Sequence, residues 1–108
     1  MSKIKDFLNQ KISNFKVFID QQFETLKNNK IEIDETKILN IKKDLTEFEN
    51  NISLFVQHMS YLEGREIDDC VKIFLMKYDI DINLIKPHID YVKLQQYIAM
   101  FLDVIRAC

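Results

Sequence analysis

The sequence predicts an all-α fold, a compact bundle of about four helices forming one domain over residues 1–108. Three observations carry that prediction. The 108 residues include one glycine, Gly64, and one proline, Pro87, the two residues a chain normally turns with. From Ile38 to Leu62 apolar residues recur at helical spacing without a miss. The composition, 47% apolar and 30% charged, is that of a globular domain and not of a disordered or fibrous chain.

Residues 3 to 28 place Ile4, Leu8, Ile12, Phe15, Ile19, Phe23 and Leu26 at steps of three and four, one amphipathic helix with Ser2 as its cap. It should stop at Asn28-Asn29. Ile31-Glu32-Ile33 reads as a connector, and Asp34 as the N-cap of the next helix, with Glu35 favourable in its first turn. There Ile38, Ile41, Leu45, Phe48, Ile52, Phe55, Met59 and Leu62 keep a 3,4,3,4 spacing, a heptad seam. A continuous helix from Glu35 to Glu63 would be about 43 Å long. Gly64 stands where a left-handed residue would end it.

A third helix, about Glu66 to Tyr78, turns Ile67, Cys70, Val71, Phe74 and Tyr78 inward. Asp68 and Asp69 suit its first turn, and Lys72 and Lys77 its later part. Residues 79 to 85 alternate apolar with polar and read as a turn or a single helical turn. Pro87 fits near the start of the last helix, which runs to about Arg106. In that helix Tyr91, Leu94, Ile98, Phe101 and Ile105 form one seam, and Tyr97, Met100 and Val104 widen the apolar sector to about half the circumference. Such a helix is either central in the bundle or covered by another subunit. Leu54 and Tyr61 project nearly opposite the heptad seam of the second helix. With Tyr97, Met100 and Val104 they are the candidate protein interface.

Several function classes find no footing in the residues. Asp79, Asp81, Asn83 and Asp90 have part of the spacing of a calcium loop, but Leu84 stands where that loop needs glycine and Pro87 lies inside it. His58 and His88 have no partner at ligand spacing, so no metal or other cofactor is expected. Nucleophilic catalysis and nucleotide hydrolysis both need glycine-built turns for an oxyanion or phosphates, and the chain has one glycine. Asp68-Asp69 is explained by the helix dipole without acid–base chemistry. The reading is a protein that is not an enzyme and has no small-molecule substrate.

Cys70 and Cys108 lack metal spacing and read as free thiols in a reducing compartment. Asn51-Ile52-Ser53 matches a glycosylation sequon, but it falls inside a helical pattern. No apolar run reaches the 18 to 20 residues of a membrane span, and the N-terminus lacks a signal peptide's apolar region, so a cytoplasmic protein without membrane contact is expected.

The net charge of −2 offers no global attraction to a polyanion, although residues 1–30 carry +3 and residues 31–63 carry −4. Lys5, Lys16, Lys27 and Lys30 fall on one stripe of the first helix, which could follow a phosphate backbone. Asp20 and Glu24 stand at ion-pair spacing from Lys16 and Lys27, the reading of a solvated face.

At the junction of the second and third helices the chain reads Tyr61-Leu62-Glu63-Gly64-Arg65-Glu66, behind a helix opening Thr36-Lys37-Ile38-Leu39-Asn40-Ile41. This resembles the small helical subunit of type III-A CRISPR effector complexes, in which a Thr-rich helix start with a Lys-Ile pair leads to Tyr-x-x-Gly-Arg and an acidic residue. Gln96-Tyr97-Ile98-Ala99-Met100-Phe101 is similar to that family's last helix, and the likeness loosely spans residues 34–106. The resemblance implies a non-catalytic scaffold in antiviral defence that stacks with copies of itself and steadies a guide–target RNA duplex. Arg65, Lys42, Lys43 and Lys72 would touch the RNA backbone, Arg65 alone by a motif position. The competing expectation is a protein-only adaptor or inhibitor that binds a partner through apolar helix faces.

Overall fold

The computed structural model describes residues 3–108. The expected Ser2 cap lies outside them. The described residues form six α-helices: α1 (Lys3–Asn28), α2 (Glu35–Asn50), α3 (Ile52–Met59), α4 (Ile67–Met76), α5 (Ile82–Ile85) and α6 (Tyr91–Ala107). Single 3-10 turns at Ser60–Leu62 and Lys86–His88 lie between α3 and α4 and between α5 and α6. The fold class is as expected; the count of about four is not. The radius of gyration, 13.5 Å, is close to the roughly 13 Å of a compact chain this long.

The expected second helix is two helices. Asn51 breaks it, extended at φ −153°, ψ 96°. Its N–H donates to the Phe48 carbonyl, and its side chain accepts from the Leu54 N–H at 3.1 Å, so one residue closes α2 and caps α3. Asparagine gains from this because its amide satisfies an N–H that a helix start leaves orphaned. The seam survives the bend: Ile38, Ile41, Leu45, Phe48, Phe55, Met59 and Leu62 are all buried, and Ile52 packs against them half-buried.

The chain turns mostly without glycine. At the end of α1, Lys30 lies at φ 61°, with the Lys30 N–H bonded to the Lys27 carbonyl and the Ile31 N–H to the Leu26 carbonyl. After α4, Asp79 lies at φ 57°, with its N–H on the Met76 carbonyl and the Ile80 N–H on the Leu75 carbonyl. Both are Schellman closures with a non-glycine residue in the left-handed position. Gly64 is left-handed at φ 78° as expected. It follows the 3-10 turn through an extended Glu63 and does not directly end a long helix. Pro87 sits in the second 3-10 turn, and α6 begins at Tyr91, capped by Asp90. The proline ring therefore lies in the first turn of that 3-10 element and does not open the last helix.

α6 is the centre of the bundle, packed against α1, α3 and α4. A run of rings joins five helices: Phe48 of α2 to Phe55 of α3 (5.6 Å), Phe55 to Phe101 of α6 (5.8 Å), Phe101 to Phe15 of α1 (5.2 Å), and Phe15 to Phe74 of α4 (6.1 Å). Tyr97 packs on Phe15 and Phe18, and Val104 is buried in the same core. The broad apolar sector of the last helix is thus used by its own chain. Tyr97 and Val104 cannot meet a partner without the bundle opening.

Candidate docking site

The four residues offered for RNA contact come from α2, the turn before α4 and α4 itself. Lys42 lies beside α1 and pairs with Asp20 at 3.0 Å. Arg65 follows Gly64, and its Nε donates to the Tyr61 carbonyl at 3.0 Å. Lys43 of α2 and Lys72 of α4 are exposed on different helices. The lysine stripe of the first helix also departs from its expected pairing. Lys16 pairs with Glu49 and Asp20 with Lys42, both across to α2. Lys30 lies beyond the helix in its closing turn.

Of the candidate interface residues, Leu54 and Met100 are half-buried against the core, and Tyr61 is 38% exposed. Leu54 packs against the core at its flank and does not stand free opposite the seam.

Other polar groups have structural work. Asp81 accepts from the Asn83 N–H and Asp90 from the Lys93 N–H, each capping a helix, while Asp79 meets Lys37. The calcium-like spacing is thus a pair of helix caps joined by a turn. Asp68, early in α4, accepts from the Tyr91 hydroxyl at 2.5 Å and the Gln95 amide at 2.7 Å. These bonds hold the Asp68 carboxyl below the usual carboxylate range, chiefly through Tyr91. Partial burial, then the bond to Asp68, pushes the Tyr91 hydroxyl up to about 12.

Tyr78 is raised too, by burial first and then by its 2.6 Å bond to Asp44. Lys77 lies 3.6 Å from the same Asp44 and 3.1 Å from Nδ1 of His58, whose ring stands edge-on to Phe48. Cys70 is buried with its Sγ 3.2 Å from the Leu62 carbonyl, and burial pushes its thiol up. A thiol held protonated is a poor nucleophile. Cys108 is exposed.

Two concavities stand out among the described residues. The larger, about 740 Å³, runs between the second half of α1 and the start of α2. Phe23, Leu26, Ile31, Ile33, Ile38 and Leu39 line its apolar part. Its lining also carries charges of both signs: Glu24, Lys27 and Lys30 from the first strand of chain, Glu32 and Glu35 from the second, and the Asp20–Lys42 pair. The site exists because α1 closes through Lys30, the connector then returns, and Asp34 starts α2 by accepting from the Thr36 N–H at 2.9 Å. That bond also lowers the Asp34 carboxyl. Leu39, 61% exposed, is the most open apolar side chain of this lining. Sequence reasoning passed over it because Ile31 and Ile33 read as a mere connector; their alternation about Glu32 was the available signal.

The smaller concavity, about 410 Å³, lies between α4 and α6 and is lined by Arg65, Arg106, Gln95, Gln96 and Val92 among others. Arg106 pairs with Glu63 at 3.3 Å and with Asp103 at 3.4 Å. Among the described residues, no helix is long and apolar enough to cross a membrane, and no group of three or more His, Cys, Asp or Glu could hold a metal ion. Comparisons with known protein families, curated proteins and solved structures find no match.

Proposed function

We propose that this chain is a non-catalytic helical subunit of a larger assembly that captures an amphipathic helix of a partner protein in the α1–α2 cleft. The supporting observation is the cleft itself: an apolar floor of Phe23, Ile31, Ile33 and Leu39 with charges of both signs around it. That is the form a groove takes when it receives a helix by one apolar face and fixes its register with charged flanks. Leu39→Asp places a charge on the open side of the floor. Capture should be lost with the helical circular-dichroism spectrum unchanged, since Leu39 is largely exposed in the isolated chain.

A second reading, a subunit of an RNA-guided ribonucleoprotein resembling the type III-A small subunit, is favoured by one observation. Arg65, from the Tyr61–Glu66 motif, lines the α4–α6 groove together with Arg106, Gln95 and Gln96, groups suited to phosphate and sugar contact without sequence reading. It ranks second because Lys42 and Arg106 are already matched to carboxylates and the chain is net acidic. Its test is RNA binding that weakens steeply with salt and falls with Arg65→Ala. Absence of binding at low salt removes it.

A further inference from the structure

The ion pairs between α1 and α2 stop where the cleft begins. Lys16–Glu49 and Asp20–Lys42 tie the two helices together. Beyond Asp20–Lys42 the cleft opens between two walls, Asp20 to Lys27 on α1 and Glu35 to Lys42 on α2, each about 10 Å long by the helical rise. At the end where the connector crosses, the walls carry opposite charge. The last turn of α1 and its closing residue supply Lys27 and Lys30, while the connector and the first turn of α2 supply Glu32 and Glu35. All four are exposed, and among the described residues no ion pair engages any of them. Glu24 stands midway along the α1 wall, so the sorting of charge is confined to the connector end.

Resting on the α1–α2 cleft as a helix groove, we infer that the captured helix is itself charge-sorted. It is acidic along the flank that meets Lys27 and Lys30 and basic along the flank that meets Glu32 and Glu35. Charge complementarity selects that occupant. A helix acidic on both flanks would set carboxylates against Glu32 and Glu35, and one basic on both would set ammonium groups against Lys27 and Lys30. A helix without charged flanks would strip water from four charges and give them no partner.

The sorting also fixes direction. Turning a helix end for end in a groove exchanges its two flanks, so a helix with unlike flanks is matched in one direction only. Because these charges stand at a solvated rim, they discriminate between helices more than they add affinity.

Three synthetic helices of about 18 residues, sharing one leucine seam, serve as probes: glutamate on one flank and lysine on the other, glutamate on both, and lysine on both. In fluorescence anisotropy at low salt, the wild-type chain should bind the mixed helix about tenfold more tightly than either uniform one. Leu39→Asp should lose it. Lys27→Glu/Lys30→Glu makes both walls acidic and should move the preference to the lysine-flanked helix. Glu32→Lys/Glu35→Lys makes both basic and should move it to the glutamate-flanked one. Lys3→Glu/Lys72→Glu makes the same change of net charge as the first pair, outside the cleft, and should leave the order of the three helices as in the wild type. All four side chains of the cleft pairs are exposed, so the circular-dichroism spectrum should be unchanged.

Equal binding of the three helices, or tighter binding of a uniform one, would overturn the charge sorting, and its loss with Leu39→Asp would leave the cleft standing as a helix groove. Binding of none of the three would overturn both. A preference unmoved by Lys27→Glu/Lys30→Glu, or moved as far by Lys3→Glu/Lys72→Glu, would also overturn the sorting.

Discussion

Lys30 offers a test in which relieving the backbone should strengthen the protein. It holds φ 61° to close α1, and an L-residue there costs roughly 1–2 kcal/mol from the Cβ against its own carbonyl. Lys30→Gly removes that cost and adds about 0.4–1 kcal/mol of unfolded-state entropy. The net gain should be about 0.5–1 kcal/mol. With an unfolding entropy of about 2.1 cal/mol/K per residue, a chain of 108 residues gains about 4 °C in Tm for each kcal/mol. Lys30→Gly should therefore melt about 2–4 °C higher by circular dichroism at 222 nm.

Gly64→Ala is the mirror experiment. A Cβ at Gly64 meets nothing within 4 Å, yet φ is 78°, so the loss is conformational alone, about 1 kcal/mol or 4 °C. If Lys30→Gly lowers Tm, or both variants move it the same way, the left-handed closures do not govern these turns.

Asn51→Ala should cost about 1 kcal/mol in urea denaturation by removing the cap on Leu54; equal or greater stability would mean that α2 and α3 gain by fusing. Phe15→Ala, at the meeting point of Phe18, Phe74, Tyr97 and Phe101, should lose about 3–5 kcal/mol in the same assay, a large part of the roughly 5–16 kcal/mol expected of a domain this size. In alkaline melts, stability should hold up to pH ~10, where unfolded tyrosine titrates, and fall toward pH 12. The sign follows because Tyr78 and Tyr91 are raised in the fold, so unfolding releases their protons in that window. The double variant Tyr78→Phe/Tyr91→Phe should flatten that fall.

Much of the fold was legible because apolar spacing reports which face of a helix is buried. α1 and the inward residues of α4 follow from it directly, and the Asp34 cap from aspartate's preference for helix starts. Spacing does not report whether a helix is straight: a seam from Ile38 to Leu62 reads the same through a break at Asn51. The clue was asparagine's preference for caps over helix interiors. Lys30 and Asp79 left no trace in composition, since the closure is set by backbone bonds and by Ile31 and Ile80 following as buried or half-buried apolar residues. Phe18 was missed because it lies off the three-and-four run, although α6 covers it. The apolar width of the last helix was visible, but whether its own bundle or a partner used it depended on α1, α3 and α4 converging there. For the candidate site, Ile31, Ile33 and Leu39 were visible singly, and only the antiparallel return of the chain made them a floor.

The docking reading meets its most direct test in stoichiometric recovery of partners from the native cell, with and without nuclease, by the wild-type chain and by Leu39→Asp. The account predicts one protein partner retained after nuclease treatment and lost with Leu39→Asp. A partner that disappears with nuclease, or one held equally well by Leu39→Asp, would contradict it.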